Sequence, residues 1–150
     1  MNAKELPQYS DVIRVLTPVL HNLPRRLIAI DGRSGVGKTT LGRYLAWRFN
    51  ISPVESDLFL IPNQGRLVYL SEAISHAIAS RLQTPRPVIV EGVAIRRLLA
   101  ELSLKPDYTI YVSSRDAPDS SSLKGEIACY EAVFKPETSA DLAIDITIPL

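Results

Sequence analysis

A glycine-rich segment that follows a short apolar run is the feature that most constrains how this chain can fold. Residues 27–30 are continuously apolar, which is too short for a buried helix and typical of a strand covered on both faces. Three of the chain's seven glycines fall within residues 32–37, and the apolar side chains of residues 39–49 then recur on one helical stripe. Because parallel strands are joined through crossover helices, this succession of strand, loop and helix predicts an α/β fold with a parallel sheet.

The loop itself has the spacing of a phosphate-binding segment. Its eight residues, 32–39, satisfy the pattern G-x-x-x-x-G-K-[ST], which a chain of this length and average composition would match by chance roughly once in two hundred. Glycines allow successive backbone N–H groups to point at phosphate oxygens, and the following helix adds the positive end of its dipole. The residues expected to hold the phosphates are Gly32, Arg33, Ser34, Gly35, Val36, Gly37, Lys38, Thr39 and Thr40.

The loop and one acidic residue further along the chain are expected to bind a nucleotide and a metal ion. Lys38 is expected to reach the β- and γ-phosphates, and the Thr39 hydroxyl is expected to ligate Mg²⁺. Glu91 follows a second buried strand, and the carboxyl end of that strand should emerge beside the loop. Glu91 would there hold a water molecule bound to Mg²⁺. The alternative for Glu91 is a strand that simply ends in an exposed acid. We expect ATP as the bound nucleotide, with GTP as an alternative.

The rest of the chain alternates between helical and strand patterns. Helical spacing of apolar residues is found in residues 11–20, 71–82, 93–102 and 125–134. Strand patterns are found in residues 51–55, 87–91, 108–112 and 142–148. This alternation predicts a single domain, residues 1–150, in which helices cover both faces of a parallel sheet.

Composition excludes several other classes of protein. Hydrophobic residues make up 46% of the chain and the formal net charge is +1, which excludes intrinsic disorder and argues against broad nucleic-acid binding. No apolar run approaches the roughly 20 residues that span a bilayer, so we expect no membrane partner. The single cysteine, Cys129, excludes an intramolecular disulfide framework, and the first residues lack the pattern of a signal peptide. We therefore expect a cytoplasmic protein.

Four segments, in chain order, carry a family resemblance. They are residues 28–41 with the loop, residues 55–59 (Glu-Ser-Asp-Leu-Phe), residues 88–93 with the E-G step after an apolar strand, and residues 130–136 followed by 140–144, which read Y-x-x-x-x-K-P and A-D-x-x-I. Together they resemble the P-loop nucleoside and nucleotide kinases, most closely the uridine kinase and phosphoribulokinase group. The resemblance implies a three-layer P-loop NTPase fold with a five-stranded parallel sheet. It also implies transfer of the γ-phosphate of Mg-ATP to a hydroxyl of a nucleoside or another small metabolite.

The resemblance also assigns roles to three side chains. Asp57 corresponds to the residue that accepts the proton of the substrate hydroxyl or orients that hydroxyl, and a turn residue is the alternative. Lys38 is implied to act in catalysis as well as in phosphate binding. The family closes an arginine-bearing lid after its fourth strand, and the corresponding residues 113–124 offer only Arg115 and Lys124 as basic side chains. Arg115 is the lid candidate, with a solvated loop arginine as the alternative.

The acceptor side of the expected site is less defined. Residues 57–70 should form it, but they match no substrate pattern that we recognise. Arg96 and Arg97 follow the E-G step, where they would either contact an anionic substrate or lie on an exposed helix face. The arginine-poor lid also leaves open a nucleotide-binding regulatory module with slow or no phosphotransfer as the alternative function.

Overall fold

Five parallel strands form one sheet at the centre of the fold. The computed structural model describes residues 6–115, 117 and 123–146, and every structural statement below concerns those residues. The strands are β1 (Leu27–Gly32), β2 (Ser52–Glu55), β3 (Val88–Gly92), β4 (Tyr108–Ser113) and β5 (Leu142–Asp145). They pair in the order β2-β3-β1-β4-β5, and every pairing is parallel. The predicted five-stranded parallel sheet is confirmed.

Helices cover both faces of the sheet and complete a three-layer architecture. They are α1 (Pro7–Val19), α2 (Lys38–Phe49), α3 (Ser71–Gln83), α4 (Ile95–Glu101), α5 (Lys124–Phe134) and α6 (Pro136–Ser139), with a short 3-10 helix over Ser56–Phe59. Successive side chains of β1 point to opposite faces. Ile28 and Ile30 pack with α1 and α2, whereas Leu27 and Ala29 pack with α3 and α4. This two-sided burial explains why the strand is continuously apolar.

The observed elements differ from the predicted ones mainly at their ends. α1 starts earlier than the predicted helix 11–20, at Pro7, because proline suits the first turn of a helix. α4 starts at Ile95 instead of residue 93, because the left-handed backbone of Ala94 (φ 53°) prevents an earlier start. β5 ends at Asp145. The last two residues of the predicted strand 142–148 lie outside the described residues.

The carboxyl ends of β1 and β4 approach each other closely where the glycine-rich loop begins. A Cβ atom added to Gly32 would lie 2.3 Å from the backbone oxygen of Val112 and 3.0 Å from a methyl carbon of Val36. The φ angle of Gly32, 154°, is also one that other residues rarely adopt. Glycine is therefore required at this position by the packing of two neighbouring strands as well as by the course of the loop.

Candidate phosphate-binding and acceptor site

The glycine-rich loop leads directly from β1 into α2. Gly37 precedes the helix with a left-handed φ of 101°, which allows the chain to turn sharply into its first residue, Lys38. The unpaired N–H groups and the positive dipole end of α2 therefore lie at the loop. This is the arrangement that binds anions at helix N-termini, and it lies where the sequence predicted phosphate binding.

Lys38 lies across the loop and is almost completely buried, with 7% of its surface exposed. Its Nζ atom donates a 2.7 Å hydrogen bond to the backbone oxygen of Arg33. Burial lowers the pKa of Lys38, and the charges of Glu91, Asp57 and Asp31 act in the opposite direction. The ammonium group is thus held by the loop backbone, and the charges of three carboxylates favour its protonated form.

Thr39 and Glu91 bring the first turn of α2 to the end of β3. The Thr39 hydroxyl donates a 2.9 Å hydrogen bond to Oε1 of Glu91, whose side chain is buried. Burial raises the pKa of Glu91, while the Thr39 hydrogen bond and the Lys38 charge lower it. A hydroxyl and a carboxylate side by side are oxygen donors of the type that Mg²⁺ prefers, and the pair fits an ion that keeps phosphate and water ligands. These two residues would hold it.

Asp57 lies on the other side of the same site, in the 3-10 helix after β2. Its exposed side chain lines a cavity of about 640 Å³. The loop contributes Lys38 and Thr39 to the lining of this cavity, together with Gly35 and Gly37. The structure therefore brings Asp57 and the loop residues to one cavity, whose size suits a small molecule.

The far wall of this cavity, which we call the acceptor cavity, is apolar. Residues 60–69 form a hairpin in which Leu60 pairs with Tyr69 and the Ile61 N–H donates a 2.8 Å hydrogen bond to the Val68 oxygen. The apolar wall comes from this hairpin, from the end of β3 and from the region of α5, and consists of Leu60, Leu67, Val93, Leu123 and Ile127. The predicted acceptor-side segment thus contributes part of the wall opposite the loop.

Helix α5 makes two polar contacts that the sequence did not reveal, one with the end of β1 and one with the loop. The Tyr130 hydroxyl donates a hydrogen bond to the buried carboxylate of Asp31, which also accepts the Gly32 N–H at 2.8 Å. Burial raises the pKa of both Asp31 and Tyr130. Two hydrogen bonds of 2.8 and 3.2 Å join Arg33 to Glu131, on the wall of a second cavity of about 470 Å³.

The predicted lid residue lies away from the acceptor cavity. Arg115 is 87% exposed, and its Nε atom is 3.7 Å from a carboxylate oxygen of Asp145 at the end of β5. It does not line the acceptor cavity with Lys38 and Asp57. Residues 116 and 118–122 of the predicted lid 113–124 lie outside the described residues. A role for Arg115 in catalysis therefore stays a prediction.

Arg96 and Arg97 do not lie on a fully exposed helix face. Both are half-buried, and each contacts a residue from a distant part of the chain. Arg96 donates a hydrogen bond to the Ser139 hydroxyl, and Arg97 forms an ion pair with Glu126 of α5. The exposed-face alternative is therefore wrong for both arginines, because α5 and the segment after it pack against α4.

Comparison of the sequence with protein-family models and with curated proteins gave no match. The fold, in contrast, is similar to those of several solved structures. A possible uridine kinase from Bacillus stearothermophilus superposes with a TM-score of 0.63 at 19% identity, over 92% of this chain and 100% of that chain. Shikimate kinase from Acinetobacter baumannii in complex with shikimate superposes with a TM-score of 0.50 at 15% identity, over 89% of each chain. An uncharacterized protein from Eubacterium ventriosum gives a TM-score of 0.50 at 13% identity, over 82% of this chain and 89% of that chain.

These likenesses, together with the parallel strand order and the loop between β1 and α2, establish the fold. The sequence resemblance to P-loop kinases predicted the same architecture, and the structural comparison confirms that prediction. The chain has the fold of the P-loop kinases.

Proposed function

We propose that this chain is a P-loop phosphotransferase that moves the γ-phosphate of Mg-ATP, with GTP as an alternative donor, to a hydroxyl of a nucleoside or another small metabolite. One observation carries the proposal. Lys38, Thr39 and Asp57 line a single cavity, and Thr39 donates a hydrogen bond to Glu91. A phosphate-binding cation, two oxygen donors and a carboxylate in one place are the groups that phosphoryl transfer requires.

Each of these residues would perform one step. The loop N–H groups and Lys38 bind and orient the phosphates, and Thr39 with Glu91 holds the magnesium ion. When bound, Mg-ATP supplies the phosphoryl group and part of the charge neutralisation. Asp57 accepts the proton of the acceptor hydroxyl or orients that hydroxyl, and its exposure allows the proton to pass on to solvent. The apolar wall positions the acceptor and excludes water. Transfer of the phosphoryl group to the acceptor is therefore favoured over its transfer to water.

A second candidate function is a nucleotide-binding regulatory module with slow or no phosphotransfer. The exposed position of Arg115, paired with Asp145 and away from the acceptor cavity, favours this candidate. An arginine that stabilises the transition state contributes roughly 10³–10⁵ to the rate in related chemistry. Without such a contribution, the loop would still bind nucleotide but turn it over slowly.

Acceptor-dependent formation of ADP separates the two candidates. The purified chain is incubated with Mg-ATP, or with Mg-GTP, and a panel of nucleosides, sugars and other alcohols. The phosphotransferase proposal predicts that at least one acceptor raises nucleoside diphosphate formation above the rate with water alone. A uniform water-level rate across the panel, accompanied by saturable nucleotide binding, supports the regulatory module instead.

The proposed reaction also has a proposed location in the cell. No helix of the described part of the chain is both long enough and apolar enough to cross a membrane. We propose a cytoplasmic enzyme that acts on a small molecule.

A further inference from the structure

Glu126 joins the acceptor-side hairpin to helix α4. Its carboxylate accepts the Leu67 N–H at 3.1 and 3.3 Å, and it also accepts a hydrogen bond from the Arg97 guanidinium. Both side chains of this ion pair are largely enclosed, with 28% of Arg97 and 20% of Glu126 exposed. A single carboxylate thus satisfies a backbone donor of the hairpin and neutralises the arginine of α4.

This ion pair lies directly behind the wall of the acceptor cavity. Leu67, whose N–H binds Glu126, and Ile127, the next residue along α5, both line the cavity. Tyr69 provides a second connection, because its hydroxyl donates a 3.4 Å hydrogen bond to the Val93 oxygen, and Val93 also lines the cavity.

The acceptor cavity contains little positive charge that is not committed to the loop. Among its described lining residues, the one cation is Lys38, which binds the loop backbone. Arg97, which is linked to the cavity wall through Glu126 and Leu67, is a cation that could bind a carboxylate or a phosphate, since a guanidinium offers two parallel N–H donors to such groups. An anionic acceptor would have to displace Glu126, which would leave a largely buried carboxylate and the Leu67 N–H without their present partners.

We propose that Glu126 is a specificity-determining residue, which restricts the acceptor cavity to hydroxyl compounds without a carboxylate or phosphate group by holding Arg97. The proposal rests on the phosphotransferase function proposed above. Anionic acceptors would be excluded by the contacts of Glu126 in α5 with Arg97 and with the Leu67 N–H of the hairpin. Glu126 itself would not need to contact the acceptor.

The substitution Glu126→Gln tests this role, because the amide oxygen can still accept the Leu67 N–H while the charge that holds Arg97 is removed. The probe is malonate, titrated at constant ionic strength into protein whose loop is saturated with Mg²⁺ and a non-hydrolysable ATP analogue. We expect E126Q to bind malonate at least about ten-fold more tightly than wild type, a difference of roughly 1.4 kcal/mol. The double variant R97M/E126Q should lose this gain.

Asp107→Asn is a matched control at another site. Asp107 also combines a backbone contact with an arginine contact, since it accepts the Leu27 N–H at 2.7 Å and lies 3.8 Å from Arg26. The control should bind malonate as weakly as wild type. Tight malonate binding by wild type, no gain in E126Q, an equal gain in D107N, or a gain that survives the loss of Arg97 would each overturn the proposal.

A second experiment measures the rate at which different acceptors are phosphorylated. Hydroxy acids and their methyl esters are compared as acceptors, because each pair differs only in the charged group. We expect wild type to phosphorylate the esters at least about ten-fold faster than the acids, and E126Q to reduce that ratio. Equal rates for acids and esters with wild type would contradict the role of Glu126. Absence of acceptor-dependent turnover throughout would contradict the phosphotransferase function, whereas the malonate titration tests the Glu126–Arg97 pair without turnover.

Discussion

The Thr39 hydroxyl donates a 2.9 Å hydrogen bond to the Glu91 carboxylate and so joins the first turn of α2 to the end of β3. The two residues are 52 positions apart in the sequence, yet the parallel sheet brings the carboxyl end of β3 beside that of β1. Their contact joins the two oxygen donors that are proposed to hold magnesium.

Lys38→Met should abolish nucleotide binding while preserving the fold. For wild type, Mg-ATP at about one hundred times its dissociation constant adds ~2.7 kcal/mol, which raises the melting temperature by roughly 5–10 °C. The variant should show no such rise, because the cation that binds the phosphates is gone. Without nucleotide it should melt at or above the wild-type temperature, because burial disfavours the charged lysine. Thermal denaturation with and without Mg-ATP measures both effects, and a full wild-type shift in the variant would exclude Lys38 from phosphate binding.

Glu91→Gln should change how stability depends on pH in the nucleotide-free protein. Burial raises the pKa of Glu91 above its usual value of 4.5, so the folded state favours the neutral acid. The stabilisation from this group is fully present below the unfolded-state value and is lost as the pH rises through the folded-state pKa. The glutamine variant should therefore melt at a higher temperature than wild type at pH 7, and the difference should shrink as the pH falls towards 4.5. A difference that grows on acidification would contradict the assigned cause.

Tyr130→Phe should destabilise the protein by about 1–3 kcal/mol, because the buried Asp31 carboxylate would lose a hydrogen-bond donor. Chemical denaturation measures the loss. A double-mutant cycle with Asp31→Asn isolates the pairwise contribution, since the two residues are in contact. Purely additive effects of the two substitutions would show that the hydrogen bond does not couple α5 to the end of β1.

Gly32→Ala should destabilise the protein by roughly 2–5 kcal/mol, because the new Cβ would overlap a backbone oxygen at a φ that alanine rarely adopts. Gly125→Ala in α5 is the matched control, since its Cβ would meet no atom of the described residues within 4 Å, its two neighbours and its own helix backbone apart. That control should be neutral or slightly stabilising, by up to about 1 kcal/mol, because alanine favours helix. Equal destabilisation by both substitutions would contradict the proposed packing of β1 against β4.

The parts of the molecule that the sequence could predict are those governed by local pattern. Residues 27–30 and 88–90 are apolar at every position, because both faces of their strands are buried. The spacing of the glycines and of Lys38 and Thr39 predicted the phosphate-binding loop. Parallel strand ends also explain why Glu91 could be expected beside the loop.

The contacts of α5 could not be predicted in the same way. Tyr130 and Asp31 are 99 residues apart, and Arg33 and Glu131 are 98 residues apart. Such pairs depend on how α5 packs against β1 and the loop, and no spacing in the sequence records that packing. The same reason applies to Arg97, whose partner Glu126 could not be recognised from the helical pattern around either residue.

Acceptor-dependent formation of ADP by Asp57→Asn, compared with wild type, tests most directly the claim that the loop and Asp57 form one phosphoryl-transfer site. The Mg-ATP affinity of both proteins is measured in parallel, because Asp57 lies outside the loop and should not affect it. The account predicts unchanged affinity and a rate of transfer reduced by roughly 10²–10⁴. Transfer by the variant at the wild-type rate, or no acceptor-dependent ADP formation by wild type with any hydroxyl compound, would contradict it.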